Sequence, residues 1–459
     1  MPADVTEFDA IIVGAGQAGP PLAGRLTAAG QRVAVIERKL VGGTCVNYGC
    51  IPTKTLVASA HTAHIARRGA DFGIGTGEIT VDMAKVKARK DKIVEGDRRG
   101  VENWIEGMDG ATLLRGHARF TGPHTLDLDG RVLRADRIFL NVGGRAVVPD
   151  LPGLSEIDYL TNVSVLELDT VPEHLVIIGG SYIALEFAQM YRRFGARVSV
   201  IERGPRLTSR EDEDVSAGIR EILEAEGIEI HTGADDIRFT KLENGFQVSP
   251  RAGATPIVGS HALIAVGRTP NTDDLGLQHA GVRTDHRGYI EVDDTLRTDV
   301  EHIWAMGDCN GRGAFTHTSY NDFEIVAANL LDDDPRRVSD RVPTYALYID
   351  PPLGRAGMTA DEVRRSGRKA LVGKRPMTRV GRAVEKGETQ GFMKVVVDAD
   401  TEEILGAAIL GVGGDEVVHA ILDVMTAKLP YTAISRTMHI HPTVSELVPT
   451  LLQDLKPLT

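Results

Sequence analysis

Cysteine is scarce in this 459-residue chain, with three residues at positions 45, 50 and 309. So few thiols exclude a disulfide-stapled scaffold, and a close pair in such a chain reads instead as catalytic or metal-binding chemistry. Positive charge is also in deficit: 52 Lys and Arg against 64 Asp and Glu leave a net charge of −12. With no basic run to offset it, a nucleic-acid partner is not expected. No apolar run approaches the roughly 18 residues needed to span a bilayer. The acidic start Met1-Pro2-Ala3-Asp4 lacks the basic region of a secretory leader. A cytoplasmic protein without a membrane partner is the expectation. What is present is ordinary: 42% hydrophobic and 25% charged residues, in a chain long enough for two to four domains.

Glycine carries the first strong signal. Phe8-Asp9-Ala10-Ile11-Ile12-Val13 reads as a buried strand and runs into Gly14-Ala15-Gly16-Gln17-Ala18-Gly19. A helical stretch to about Ala29 and a strand from Arg32 to Ile36, ending at Glu37, complete a βαβ unit. Gly14 suits the tight turn, Gly16 the close approach of a pyrophosphate, and Gly19 close helix–strand packing. The helix N-terminus faces the phosphates, and Glu37 would accept hydrogen bonds from a ribose.

The pattern returns. His174-Leu175-Val176-Ile177-Ile178 leads into Gly179-Gly180-Ser181-Tyr182-Ile183-Ala184, then a helix through Phe194 and a strand from Arg197 to Ile201 that ends at Glu202. Gly14 to Glu37 and Gly179 to Glu202 are both separated by 23 residues, which points to two dinucleotide sites. Ser181 at the middle position implies a looser backbone approach, while alanine is accepted at the third. A carboxylate at Glu202 would repel a 2′-phosphate and favour NADH, although Arg203 and Arg206 keep NADPH open.

Between the two units lies Gly42-Gly43-Thr44-Cys45-Val46-Asn47-Tyr48-Gly49-Cys50-Ile51-Pro52-Thr53-Lys54. Two of the three cysteines thus follow the first fingerprint, and redox chemistry between a cofactor and this pair is the immediate hypothesis. A buried thiol pair or two unrelated cysteines is the alternative.

With these pieces together the chain resembles a class I flavoprotein disulfide reductase, the family of dihydrolipoamide dehydrogenase, glutathione reductase and mercuric reductase. Ala265-Val266-Gly267-Arg268-Thr269-Pro270-Asn271, Ile303-Trp304-Ala305-Met306-Gly307-Asp308 and His439-Ile440-His441-Pro442-Thr443-Val444-Ser445-Glu446 extend the likeness over nearly the whole chain. The resemblance implies an α/β fold: two Rossmann-like dinucleotide-binding domains, for FAD and NAD, plus a C-terminal α+β dimerisation domain. FAD-binding sequence would occupy 1–150 and resume at 271–342, with NAD(P)H-binding sequence at 151–270 and the dimerisation domain at 343–459. Asp332 to Val342 reads as an exposed connector.

The family pattern also assigns roles. Cys50 would lie next to the flavin and Cys45 would be the interchange thiol of a redox disulfide. Five residues apart, they stand about 140° apart around a regular helix, so a bridge needs an irregular first turn. Gly49 makes that plausible. A thiolate at a helix N-terminus is expected to have a lowered pKa. Lys54 and Glu186 would meet near the reactive edge of the flavin, and Asp308 would hydrogen-bond the ribityl chain. Thr44, Gly143 and Gly267 fall at further cofactor positions. His441 would be the acid/base and Glu446 its orienting partner, with Pro442 starting the helix that returns the carboxylate to the ring. In the family this dyad serves the opposite subunit, which implies a homodimer. His439 with His441 also admits a zinc reading, but His-x-His alone is no metal signature, so no metal ligand is assigned. Cys309 is given no role.

The acceptor is the open question. The His441–Glu446 dyad favours dihydrolipoamide dehydrogenase. Mercuric reductases typically carry a C-terminal cysteine pair, whereas this sequence ends Leu455-Lys456-Pro457-Leu458-Thr459. Flavoprotein reductases linked to copper and reactive-chlorine resistance share Pro52-Thr53-Lys54-Thr55-Leu56, Phe315-Thr316 with Tyr320, and Pro351-Pro352-Leu353-Gly354-Arg355-Ala356-Gly357-Met358-Thr359. Asn141-Val142-Gly143-Gly144 departs from the Ala-Thr-Gly of lipoamide enzymes, and the loop Gly311 to Asp322 lacks their Met-Leu-Ala-His run. The preferred expectation is a mercuric reductase-like enzyme passing electrons to a metal ion or disulfide. Dihydrolipoamide dehydrogenase comes next, and a non-catalytic redox sensor or complex subunit is the alternative of another class.

Overall fold

The computed structural model describes residues 5–458, so the acidic residues 1–4 and Thr459 read above lie outside it. The chain divides into two compact units: residues 1–56, 84–147 and 267–340 form the first, and 57–83, 148–266 and 341–459 the second. Among the described residues no helix is long and apolar enough to cross a membrane.

The first unit is built on a seven-stranded sheet. Strands Ala111–Arg115, Val33–Glu37, Val5–Val13 and Arg131–Leu140 run parallel in that order. Thr125–Leu128 and Ala118–Gly122 continue antiparallel, and Ile303–Ala305 pairs parallel with Arg131–Leu140. Successive side chains of a strand point to opposite faces. Accordingly Ile11 and Val13 pack with Phe120, Leu126 and Ile138 on one face, while Ala10 and Ile12 pack with Leu22 and Leu26 on the other. Leu22 and Leu26, four apart on the helix Gly19–Ala28, present its buried stripe.

The second unit repeats the nucleotide-binding topology. Glu229–His231, Arg197–Ile201, His174–Ile178, His261–Ile264 and Tyr159–Leu160 form a parallel sheet. The helix Tyr182–Phe194 follows His174–Ile178. The C-terminal part is a six-stranded antiparallel sheet in which Phe392–Asp398 and Ile404–Leu410 are buried along their whole length. The helix Gly414–Thr426 packs Val417, Val418 and Ile421 onto it. Within the connector read over Asp332 to Val342, residues 332–337, 339 and 340 are exposed, while Val338, Arg341 and Val342 are half-buried.

A buried charge cluster ties these elements of the second unit together. Lys394 Nζ, on a side chain only 6% exposed, lies 2.6 Å from Asp212 Oδ2 and 2.6 Å from Asp214 Oδ1. Asp212 also accepts the N–H groups of Ala360 and Asp361 at 3.0 Å each. Burial by itself would raise Asp212 and Asp214; the Lys394 ammonium, with those N–H groups at Asp212 and Lys374 at Asp214, outweighs it and holds both below the ordinary value. Lys394→Met keeps the apolar stem but leaves the buried Asp212 without a cation, while Asp214 keeps Lys374, so stability at pH 7 should fall by about 3–5 kcal/mol, read from the denaturant midpoint. Groups with depressed pKa stabilise above their unfolded value. In the variant, burial raises the unpaired Asp212 carboxyl, so the difference from the parent should begin to shrink as pH falls through that raised value and shrink further below about 3.8. Equal midpoints at pH 7 would assign the cluster no net stabilising role.

Candidate active site

The glycine loop of the first unit is shaped by backbone lying on backbone. Gly14 has φ +107°, and a Cβ there would sit 2.3 Å from the carbonyl oxygen of Asn141. A Cβ on Gly19 would be 2.5 Å from the Gly14 oxygen. Turned with its oxygen toward the loop, the buried Asn141 carboxamide accepts from Gly19 N–H at 2.9 Å and Gly16 N–H at 3.3 Å. Glu37 closes the loop from the end of its strand, accepting Ala15 N–H at 3.0 Å and Lys39 N–H at 2.8 Å. Bare glycine backbone with an acid at the far strand end is the cradle a dinucleotide requires, so these residues fit FAD.

The cysteine segment packs on this loop. A Cβ on Gly43 would lie 2.8 Å from Gly16 Cα, and Gly42 N–H donates to Ala15 O at 2.8 Å. Asn47 Nδ2 ties the turn by donating to Val41 O and Gly43 O, both at 2.9 Å. Helix Gly43–Tyr48 then breaks at Gly49 and a second helix, Cys50–Arg67, begins. A side chain at 49 would stand 3.0 Å from Thr44 O and 3.3 Å from Cys45 Cα. The break thus brings Cys50 over Cys45, as the helical phase demanded. Both are partly buried free thiols in this structure.

The lowered pKa expected of a thiol at a helix N-terminus does not hold at Cys45. The Cys45 thiol is held well above its ordinary pKa: the Cys50 side chain bonds to it, and burial adds to the effect. A neighbour that shares one proton outweighs the helix end, which acts on a helix of only six residues.

Asp308 stands on the turn after strand Ile303–Ala305. The fully buried Asp322 holds that turn, accepting Gly307 N–H at 2.7 Å and Asn310 Nδ2 at 2.9 Å. Arg268, unassigned from sequence, gathers this region. Its Nη2 donates to Gly144 O at 2.5 Å and lies 3.2 Å from Asp308 Oδ2 and 3.4 Å from Thr44 Oγ1. Gly143 and Gly267 have φ of +64° and +141°, with nothing within 4 Å of an added Cβ, so conformation alone selects glycine there. Thr316 is a second residue missed: its hydroxyl lies 3.1 Å from Cys50 Sγ. Lys54 is half-buried on the first turns of helix Cys50–Arg67. Cys309 is core: burial pushes it up to about 12, and its Sγ lies 3.3 Å from Met306 O.

In the second unit Gly179 reproduces Gly14. It has φ +118°, an added Cβ would be 2.4 Å from Ala265 O, and its N–H donates to Ile201 O at 2.8 Å. Ser181 sits in extended backbone before the helix, with φ −112°, so a side chain fits there without strain. Glu202 Oε1 accepts Gly204 N–H at 2.5 Å, and a Cβ on Gly180 would touch its side chain at 2.9 Å. Arg206 donates to the carbonyls of Ser209 and Glu211. Glu186 is buried and accepts Tyr348 N–H at 3.0 Å.

His441 and Glu446 meet: Nδ1 lies 2.8 Å from Oε2. Pro442 does not start the helix, however. It opens at Leu447, because Thr443 turns the chain first, donating to Ile440 O at 2.7 Å and accepting Glu446 N–H at 3.2 Å. His439 Nδ1 lies 2.7 Å from Ser445 O.

A model of the pyridine nucleotide-disulphide oxidoreductase family matches residues 8–322, and one of that family's dimerisation domain matches residues 343–452. The chain belongs to this family. It is an enzyme of the FAD-containing, NAD(P)H-linked class I type. RclA of Escherichia coli strain K12, described as a probable pyridine nucleotide-disulfide oxidoreductase, is 35% identical over 461 residues, covering 98% of this chain and 100% of that protein. Dihydrolipoyl dehydrogenase of Thermus scotoductus is 32% identical, covering 96% and 95%. The solved Cu(II) complex of the HOCl-induced flavoprotein disulfide reductase RclA from Escherichia coli matches with a TM-score of 0.89 at 34% identity, covering 98% of this chain and 99% of that one.

For this oxidoreductase, Gly14→Ala forces a Cβ into the Asn141 carbonyl at a left-handed φ. Strain of about 1–3 kcal/mol should weaken flavin retention roughly 5- to 150-fold. The flavin-to-protein ratio after purification reads it, and a fully loaded variant would contradict the cradle.

Proposed function

We propose that this chain is an FAD-dependent NAD(P)H oxidoreductase that passes electrons through a Cys45–Cys50 redox disulfide to a metal ion or disulfide acceptor, as a cytoplasmic homodimer. FAD-binding sequence is assigned to 1–150 and 271–342, the NAD(P)H domain to 151–270, and dimerisation to 343–459. The observation that carries the reading is the thiol pair in contact on a segment packed against the dinucleotide loop.

FAD, when bound, supplies the two-electron relay between nicotinamide and thiols. The glycine loop and Glu37 hold its nucleotide half, and Asp308, steadied by Arg268 and Asp322, its ribityl part. Lys54 offers a cation to the reduced cofactor. With a disulfide acceptor Cys45 attacks one sulfur and expels the other as thiolate, and Cys50 resolves the mixed disulfide. With metal ions the dithiol gives up two electrons and two protons and closes to the disulfide. In both, His441, oriented by Glu446, handles the proton for the thiols of a second copy. Met438 and Ile440, 95% and 79% exposed, flank that histidine's segment and support its burial by the second copy.

A metal-ion acceptor is favoured by the copper complex of the RclA relative. The formed His441–Glu446 dyad and the Thermus relative favour a second reading, dihydrolipoamide dehydrogenase.

Anaerobic reduction with NADH, then mixing with lipoamide, Cu(II) or Hg(II), discriminates through flavin reoxidation. Fast reoxidation by the metal ions with lipoamide inert is expected; reoxidation by lipoamide alone would install the second reading. Cys50→Ser should keep FAD and lose turnover with whichever acceptor works, and retained turnover would remove the disulfide from the mechanism. NADH is the assigned donor, because the Glu202 carboxylate at the strand end would repel a 2′-phosphate while Arg206 is engaged by carbonyls. Glu202→Gln should narrow the NADH-over-NADPH preference in kcat/KM by roughly tenfold, a charge effect of about 1.4 kcal/mol. An unchanged ratio would place selectivity elsewhere.

A further inference from the structure

We propose that Thr208 is a positioning residue for the pyrophosphate of the nicotinamide dinucleotide: its N–H pins the Gly180 carbonyl and so turns the Ser181 N–H out of the second glycine loop toward that anion. The inference rests on the reading of this loop as the NAD(P)H site and deepens it by naming what orients a phosphate donor there.

Thr208 is an outlier twice over. Its φ is +43°, a left-handed conformation that a β-branched residue rarely adopts. It is 4% exposed, and its hydroxyl is buried without a hydrogen-bond partner. Strained residues persist where their surroundings over-determine them, and they cluster at functional sites. Both flanks are fixed here. Leu207 O accepts from Ser216 Oγ at 2.5 Å, Thr208 O accepts Glu211 N–H at 2.8 Å, and Asp212 is held by Lys394 and by the N–H groups of Ala360 and Asp361. Held in this way, Thr208 donates its N–H to Gly180 O at 2.8 Å. The peptide between Gly180 and Ser181 is trans, so its C=O and N–H point in opposite directions. A carbonyl drawn to Thr208 therefore sends Ser181 N–H the other way. Among the described residues no carbonyl accepts from that N–H. Ser181 immediately precedes the thirteen-residue helix Tyr182–Phe194, whose positive end adds to the attraction for a phosphate.

The first unit contains the same arrangement without strain. Gly42, with φ +91°, donates its N–H to Ala15 O at 2.8 Å. Ala15 and Gly180 each follow the leading glycine of their loop, and Gly42 and Thr208 each arrive from the segment after the strand-ending acid. Glycine takes a left-handed conformation freely, whereas threonine does so at a cost. A pin that recurs in both units belongs to the dinucleotide loop and not to the local packing of one of them.

Anaerobic flavin reduction at rising reductant concentration tests the proposal and needs no acceptor. Thr208→Pro removes the N–H and cannot adopt φ +43°. It should raise the half-saturating NADH concentration about tenfold or more, the effect of one hydrogen bond to a charged group. Reduction by dihydronicotinamide riboside, which carries the nicotinamide but no phosphate, should not show this loss. Replacing Thr208 by its α-hydroxy acid keeps the side chain, removes only the N–H, and should reproduce the proline result if that variant folds poorly. Thr208→Gly keeps the N–H and relieves the strain, so its half-saturation should lie at or below that of the parent. Unchanged NADH saturation in the proline and α-hydroxy variants, an equal loss with the riboside, or a glycine variant as weak as proline would each overturn the proposal. Failure of the NAD(P)H reading itself would appear in the parent, as bound flavin that neither NADH nor NADPH reduces.

Discussion

Backbone resting directly on backbone is the constraint from which the first unit follows. Gly43 lies where any Cβ would meet Gly16 Cα, and Gly14 where any Cβ would enter the Asn141 carbonyl. Because the dinucleotide loop and the cysteine turn touch through main chain, no side-chain rotamer intervenes between them. The separation between a cofactor cradle and the thiol pair is then set by covalent geometry. The hydrogen bond from Gly42 to Ala15 and the Asn47 latch prevent the turn from peeling away. A redox relay needs this stiffness, since reacting groups displaced by about 1 Å lose large factors in rate.

The second unit uses a different device. Its nucleotide-binding fold and its antiparallel sheet are joined by buried charge rather than by bare backbone. Glu211, 2% exposed, accepts Tyr182 at 2.8 Å and Tyr345 at 2.7 Å and faces Arg355 at 3.1 Å. Tyr182 is the first residue of the helix after the second glycine loop, so that loop is wired to the strand Thr344–Leu347. Arg193 makes a parallel link, reaching Glu226 at 2.7 Å and Asp350 at 2.6 Å. Asp350 also meets His61, whose pKa is raised chiefly by that hydrogen bond. Such pairs are weak sources of net stability but costly to break singly. They define one arrangement of the elements more than they strengthen it.

Elements with a strong period were legible in the sequence. Residues 174–178 and 197–201 are strands to the residue, and the equal 23-residue spacings did mark two loops whose leading glycine has a left-handed φ, +107° and +118°, and donates its N–H to the neighbouring strand. The helical phase of Cys45 and Cys50 also foretold the break at Gly49. Long-range and competing local effects escaped it. Arg268 joins Thr44, Gly144 and Asp308 across more than 200 residues, and no local pattern encodes that. The Cys45 shift depends on which neighbour holds the shared proton, which is invisible in spacing. Thr443 displaced the helix start from Pro442 because a hydroxyl offers the backbone an alternative partner. The departure from Met-Leu-Ala-His was visible, but its meaning required seeing Thr316 reach Cys50.

The dyad shows what a single copy leaves incomplete. Glu446 is largely sheltered and anchors Nδ1, yet the imidazole of His441 is 81% exposed. An acid/base in open water competes with solvent for every proton, and its partner carboxylate is screened. Orientation without enclosure therefore does little chemistry. The same segment presents Met438 and Ile440 to water, an arrangement that costs free energy in an isolated chain and is relieved when a second surface covers it. In the proposed homodimer, enclosure of the imidazole and burial of these side chains would be one event. On the proposed homodimer, assembly and catalytic competence are therefore coupled: the proton chemistry at His441 arises only when the apolar flank is covered.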